Sequence, residues 1–232
     1  MSVAIVTGAS RGFGRAVALT LADRGWSLVL DARGERALRE AAAALPAGRV
    51  HAIAGDVADR DHRAALVSAA ERLGGLDLLI NNASELGPSP LPELARYPVE
   101  ELAQVYATNV LAPLALIRSA LLLLVARAGT IVNVSSDAGV EAYAGWGGYG
   151  SSKAALDHLS KVLAVEQPML RVYAFDPGDM RTEMHQRAFP GEDISDRPQP
   201  ETVVPALLRL LDERPASGRY RAVELPAPEL VR

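Results

Sequence analysis

Cysteine is absent from the 232-residue chain, which excludes disulfides, thiolate metal sites and a thiol nucleophile. Basic residues are not in excess: 24 Lys and Arg face 28 Asp and Glu, for a net charge of -4. Such a balance gives no footprint for nucleic acid or an anionic membrane surface, and neither is an expected partner. Long hydrophobic runs are also missing. The apolar opening Val3–Val6 stops at Thr7-Gly8, too short for a signal h-region and without a basic n-region. No stretch approaches the eighteen or so consecutive apolar residues of a membrane span, so a soluble cytoplasmic protein is expected. The four histidines, His51, His62, His158 and His185, show no ligand spacing. They are expected to face solvent or the core edge, with no metal site. There is no internal repeat and no flexible linker, and the whole of 1–232 reads as one domain.

What is present is an alternation of short β-branched or aliphatic runs with Ala/Leu/Arg/Glu-rich amphipathic segments, the pattern of successive βαβ units on a parallel sheet. Strands are expected at 3–7, 27–31, 50–54, 76–81, 130–135, 171–175 and 220–223. Helices are expected at 15–24, 35–45, 61–73, 99–110, 113–127, 149–165 and 200–213. The fold class that follows is α/β, a Rossmann-type doubly wound domain with a seven-stranded, mainly parallel sheet and helices on both faces. The segments 87–92 and 190–200, dense in Pro and Gly, read as loops.

Directly after the first apolar run comes Thr7-Gly8-Ala9-Ser10-Arg11-Gly12-Phe13-Gly14, leading into an Ala-rich helix. Glycines there permit positive φ and close approach of the backbone to a pyrophosphate, while the helix N-terminus offers free N–H groups to the anion. A tight turn needing glycine only for steric reasons would look the same in isolation. The spacing is Thr-Gly-x-x-x-Gly-x-Gly rather than the usual dinucleotide fingerprint, and other landmarks follow in order. They are Asp56-Val57 after the third strand, Asn81-Asn82-Ala83 ending the fourth, Asn109, Ser136, Tyr149-Gly-Ser-Ser-Lys153, and Pro177-Gly178 with Thr182. This ordered set, over residues 3 to 182, resembles the short-chain dehydrogenase/reductase family of classical type.

Tyr149 and Lys153 are four apart on an expected helix, hence on one face and about a turn apart. At ~5 Å with an effective dielectric near 20, one positive charge supplies roughly 3 kcal/mol, enough to lower the phenol by about 2 pKa units. The expectation is therefore a tyrosine brought most of the way to neutrality by lysine. The resemblance implies that Tyr149 is the general acid in reduction and base in oxidation. It further implies that Lys153 also holds the nicotinamide ribose, that Ser136 bonds the substrate oxygen, and that Asn109 positions a water leading from Lys153 to solvent. Ser135 is the competing serine; its separation from Tyr149 is one residue too long for the family pattern, and strand pleating should turn it away. The resemblance also assigns the cofactor to Gly8, Ser10, Arg11, Gly12, Phe13, Gly14, Asp56, Val57, Asn82, Ala83, Pro177, Gly178 and Thr182, besides Tyr149 and Lys153.

Family members selective for NAD carry an aspartate where this chain has Ala32. Arg33 follows at once and Arg11 sits in the glycine turn, so two guanidiniums flank the place of a ribose 2′-phosphate. NADP(H) is the preferred cofactor by this reading, with NAD(H) kept possible by Asp31, one residue early on the strand. Substrate contacts are expected in the loops 84–92 and 137–148 and in a substrate-covering segment near 179–200. Glu85, Asp137, Glu141 and Asp179 would make the mouth acidic, and Tyr143, Trp146 and Met184 would add apolar surface. These features point to a small neutral or cationic, possibly cyclic, carbonyl/alcohol substrate, although each carboxylate could equally cap a helix or face water.

The chain departs from the family at Ser84, where a glycine is usual, at Asp179, in a shortened segment around Glu166-Gln167-Pro168, and at the C-terminus, where the usual Asp-Gly-Gly ending is missing. That ending often packs across a tetramer interface, so a homodimer through 113–127 and 149–165 competes with a homotetramer. A dinucleotide-binding redox sensor without turnover is the alternative function. Presence of the tyrosine, lysine and serine together argues against it.

Overall fold

The computed structural model describes residues 1–46 and 48–225. Seven strands form one sheet: β1 Val3–Val6, β2 Ser27–Ala32, β3 Val50–Ala54, β4 Leu78–Asn81, β5 Thr130–Val134, β6 Arg171–Asp176 and β7 Gly218–Arg221. Their spatial order is β3-β2-β1-β4-β5-β6-β7, and every pairing is parallel. The expected Rossmann-type sheet is therefore present, wholly rather than mainly parallel. Central strands are buried along their whole length because helices cover both faces, which is why they read as continuous apolar runs.

The two-residue pleat divides each strand between two cores. Ala4 and Val6 of β1 pack with Phe13, Val17 and Leu21 of α1 (Gly12–Asp23) and with Leu207 and Leu210 of α8 (Val204–Glu213). Val3 and Ile5 pack on the other face, against Leu66 of α3 (Arg60–Arg72) and Leu116, Ile117 and Leu124 of α5 (Ala112–Ala126). The remaining helices are α2 (Glu35–Ala43), α4 (Val99–Tyr106), α6 (Gly147–Glu166) and α7 (Glu183–Ala188). Strand order reverses between β1 and β4, which opens a crevice at the strand C-termini where ligands of such sheets bind.

Several boundaries differ from the sequence reading. The last strand is Gly218–Arg221, two residues earlier than expected; as an edge strand paired only to β6 it accepts polar residues, and Ala222–Glu224 turn into a 3-10 helix. Residues 183–188, expected as loop, form α7, started by Thr182 whose Oγ1 accepts from the His185 N–H at 3.1 Å. Between α4 and α5, Ala107–Leu111 adopt π geometry, so Asn109 lies in a widened turn and not in regular helix. α4, this turn and α5 run on as one helix, Val99–Ala126, long and apolar enough by composition to cross a membrane, contrary to the expectation that no stretch would be. Its apolar face contributes Leu116, Ile117, Ala120 and Leu124 to the second core.

Candidate active site

The glycine turn owes its shape to one amide. Asn82 donates from Nδ2 to the carbonyls of Thr7 and Gly8 at 2.9 and 3.1 Å, and Thr7 Oγ1 accepts from the N–H groups of Asn82 and Ala83. Gly8 has φ 65°, and a Cβ there would stand 2.9 Å from both the Ala83 Cα and the Asn82 amide. Gly14 has no room either: its Cβ would lie 2.4 Å from Asn82 Nδ2 and 2.5 Å from the Gly8 carbonyl oxygen. Gly14, expected among the cofactor contacts, is thus a packing residue beneath the turn and does not line the cleft. No side chain caps the N-terminus of α1 at Arg11. Its first-turn N–H groups therefore face the cleft without a side-chain acceptor, the arrangement that suits a pyrophosphate.

From this turn a cleft of about 610 Å³ runs across the strand ends. Ser10, Arg11, Gly12, Phe13, Arg33, Asp56 and Val57 line it, together with Asn82, Ala83, Ser136, Tyr149, Lys153, Pro177, Gly178 and Thr182. The Asp56 carboxylate accepts from the Ala58 N–H at 2.8 Å, closing the turn after β3. Both arginines offered for a 2′-phosphate carry partners: Arg11 pairs with Glu183, and Arg33 pairs with Glu85 at 3.0 Å. All four side chains but Glu85 are mostly exposed, so these are weak, exchangeable pairs. Asp31 is taken differently. It is buried, pairs with His62 Nε2 at 2.6 Å, and accepts from the Gly8 backbone. Burial pushes its carboxyl above the ordinary range, and the His62 contact opposes that rise. Asp31 thereby ties β2 to the glycine turn and to α3, a role no spacing announced, and His62 is its partner rather than a free surface residue.

At the reacting end, Lys153 is only 2% exposed and donates from Nζ to the Val134 carbonyl at 2.8 Å. The ammonium stands 5.4 Å from the centre of the Tyr149 ring. Against the expectation of a phenol brought toward neutrality by lysine, burial is the largest influence on Tyr149. Burial raises the Tyr149 phenol well above its ordinary value; the nearby Ser84 and Ser136 hydroxyls pull it down, while Asp176 and Asp137 push it further up. Lys153 itself falls to about 8, chiefly from burial and against the pull of Asp157. Burial is the largest cause of both shifts, because it penalises the charged form of each group.

Asn109 is buried and does not line the cleft. Its Nδ2 donates to the Glu85 carbonyl and to Ser152 Oγ, and its Oδ1 accepts from Ser84 Oγ and the Glu85 N–H. Asn109 therefore pins the 84–85 backbone, and Ser84, seen in sequence only as a departure, connects this amide to the tyrosine. Ser136 faces Tyr149 and also donates to Asp137 Oδ1 at 3.0 Å. Ser135 lines the cleft as well, contrary to the pleat argument, though its buried hydroxyl has no hydrogen-bond partner among the described residues.

The profile of the short chain dehydrogenase family matches residues 2–193. The chain belongs to that family.

Among curated relatives, the sepiapterin reductase of Rattus norvegicus is 38% identical over 203 residues, covering 81% of this chain and 77% of its own. The sepiapterin reductase of Xenopus laevis is 33% identical and covers 98% and 88%. Among solved structures, a short chain dehydrogenase of Shigella flexneri complexed with NADP is 31% identical with a TM-score of 0.89, over 96% of this chain and 97% of that one. One from Pseudomonas syringae is 35% identical with a TM-score of 0.88, over 95% and 94%.

Beside Tyr149 this short-chain dehydrogenase has an aromatic cluster, of which Trp146 and His185 line the cleft and Phe189 does not. Trp146 meets Tyr149 edge-on at 5.8 Å and Phe189 at 5.8 Å, and Phe189 lies 4.8 Å from His185, with Met184 packed alongside. Asp137, Asp179, Trp146 and Met184 line the cleft as expected; Glu85 and Tyr143 do not. Tyr143 is exposed and donates to Asp137 Oδ2 at 3.1 Å, while Glu85 sits between Arg33 and Arg187. Asp179 lies 3.7 Å from both His185 and Arg197. The acidic mouth expected from composition is consequently balanced by arginines that come from distant parts of the chain. His185, in the expected substrate-covering segment, lines the cleft too, and Asp176 and Arg187 are further cleft residues that the sequence reading missed. Asp176 alone carried a signal, as an ionisable residue at a strand end next to Pro177-Gly178.

Proposed function

We propose that the protein is an NADP(H)-dependent reductase of a small, flat, neutral carbonyl compound, with Tyr149 as proton donor. The observation that carries this reading is the convergence of Ser136, Tyr149 and Lys153 on the cleft that begins at the uncapped end of α1. A bound nicotinamide supplies the hydride. Ser136 and Tyr149 hold the carbonyl oxygen, and the Tyr149 O–H passes its proton to that oxygen as the carbon is reduced. A phenol held above its ordinary pKa is in the protonated form at neutral pH, the form that reduction needs. Lys153, anchored on Val134, is placed to stabilise the phenolate left behind and to bond ribose hydroxyls.

NADP(H) preference rests on Arg33 and Arg11 in the cleft and on Asp31, which also lines it, being engaged by His62. The NADP bound to the Shigella flexneri relative supports it. For the substrate, the Trp146 and His185 rings that line the cleft, packed on Phe189, and the charge-balanced mouth support a flat uncharged ring bearing a carbonyl, of which sepiapterin is a candidate through the relatives named for its reduction. The assembly proposed is a cytoplasmic homodimer through α5 and α6, where Leu122 and Val165 are exposed.

The test is NADPH consumption against a panel of sepiapterin, cyclic diketones, quinones and simple ketones. Turnover of a ring carbonyl is expected, with Tyr149→Phe lowering kcat by ~100-fold or more and leaving NADPH binding intact. Turnover that survives Tyr149→Phe unchanged would overturn the mechanism, and absence of turnover across the panel would overturn the substrate class.

A further inference from the structure

Two carboxylates lie buried behind the reacting end and are not used by the chemistry above. Asp157 is four residues after Lys153 on α6, so the two share a face of that helix. Asp176 ends β6 beside Tyr149 and lines the cleft. Both are about 95% buried or more. One cation serves both: Arg219 of the edge strand β7 donates from Nε to Asp157 Oδ2 at 3.0 Å and from one terminal nitrogen to Asp176 Oδ2 at 2.8 Å. That same nitrogen donates to the backbone carbonyl of Ser136 at 3.0 Å. Asp176 Oδ1 in turn accepts from the Gly178 N–H. Asp157 Oδ1 is buried with no hydrogen-bond partner among the described residues.

We infer that Arg219 is a positioning residue for this site, fixing Asp157 behind Lys153, Asp176 beside Tyr149 and the carbonyl of Ser136 in one frame, and setting the charge that the tyrosine–lysine pair experiences. Removing the guanidinium takes from Asp157 its hydrogen-bonded cation and leaves Asp176 to the more distant Arg221, 3.9 Å away, and the field of a carboxylate so uncovered acts strongly in a desolvated interior. Here the affected groups are the two that matter. Lys153 is faced by Asp157 and Tyr149 from its own helix and by the Val134 carbonyl from β5. Tyr149 is faced by Ser84 after β4, Ser136 and Asp137 after β5, and Asp176 at the end of β6. Asp157 and Asp176 are thus the carboxylates whose charge Arg219 controls. A guanidinium suits the task because its planar fork reaches three acceptors at once.

The titration of Lys153 reads this without any assumption about the reaction. Lys153 and Lys161 are the chain's two lysines, and Lys161 is exposed, so carbon-13 labelling at lysine Cε gives one buried signal and one reference. In Arg219→Met the Lys153 midpoint is expected to move up by about one pH unit, and in Asp157→Asn to move down by about one. Arg219→Lys should restore most of the wild-type value. Opposite shifts from two substitutions in one network are not produced by loosened packing. A Lys153 midpoint unmoved in Asp157→Asn, which keeps the side-chain shape should Arg219→Met fail to fold, would overturn the inference. The kinetic arm rests on the proposed reduction: the pH limb of kcat should follow the same two directions, with KM for the carbonyl little changed. Correct titration shifts without turnover would condemn the proposed reaction and leave Arg219's role standing.

Discussion

Lys153 donates from its ammonium to the carbonyl of Val134 at 2.8 Å, joining α6 to the C-terminal end of β5, with both residues lining the cleft. The side chain is among the largest fully buried in the protein. A charge in such a place is held for chemistry at a cost to folding, because desolvation lowers its pKa to about 8 from the ordinary 10.5.

That cost has a sign and a pH window. Between about pH 8 and 10.5 the unfolded chain binds more protons than the native one, so this lysine makes stability rise with pH there and imposes its full penalty below 8. Lys153→Met should therefore be inactive yet more stable at pH 7 by ~1–2 kcal/mol, after allowing for the lost bond to Val134. The advantage should shrink as the pH rises toward 10. Thermal melts of both proteins from pH 7 to 10 check this, and a stability difference independent of pH would contradict it.

Arg33→Ala should weaken NADPH binding by roughly 10- to 100-fold, the range for a charge-assisted hydrogen bond, and change NADH binding no more than about twofold. In the wild type NADPH must displace Glu85 from the guanidinium, which reduces the net contribution of Arg33. Titration of the two cofactors by nicotinamide fluorescence measures it. Equal losses for both would move the 2′-phosphate away from Arg33.

Asn109→Leu should destabilise the protein by about 3 kcal/mol, because Ser84, Ser152 and the Glu85 backbone lose their buried partner together. Ser84→Ala should cost ~1 kcal/mol and leave the fold intact. Denaturant unfolding compares them. A small effect of Asn109→Leu would mean that the 84–85 backbone is held by something else.

Gly14→Ala places a methyl against the Gly8 carbonyl and the Asn82 amide, neither of which can yield without opening the turn. A loss of ~2–4 kcal/mol and of cofactor affinity is expected. Gly34→Ala is the control: its Cβ would meet only Ala37 at 4.0 Å, and its φ is an ordinary -84°. Circular dichroism melts with and without NADPH distinguish the two.

Leu122 and Val165 are 84% and 81% exposed on α5 and α6. If these helices pair two copies, Leu122→Glu with Val165→Lys should halve the mass seen by light scattering while leaving the monomer folded. Unchanged mass would place the interface elsewhere.

How much of this was legible beforehand varies by residue, and for physical reasons. Apolar runs of β1, β2, β4 and β5 are readable because a strand buried on both faces is apolar at most positions, with Asp31, Asn81 and Asn133 as buried, hydrogen-bonded exceptions. β7 was displaced by two residues, since an edge strand is paired on one side only and its residues Gly218–Arg221 carry little apolar pattern. Helix α7 was missed because six residues give less than two turns of periodicity, and its Thr182 cap is a local signal outweighed by the surrounding Pro and Gly.

The sequence by itself determined the order of strands and helices, the glycine turn, and which serine, tyrosine and lysine stand at helix and strand ends. Those depend on local spacing and burial pattern, which a linear chain carries. Only the tertiary structure decided that Asp31 belongs to His62, that Glu85 lies between Arg33 and Arg187, and that Arg219 serves Asp157 and Asp176. It also decided that Tyr149 is raised and not lowered. A group's charge and partners depend on desolvation and on residues brought in from 30 to 100 positions away, and neither is written in neighbouring letters.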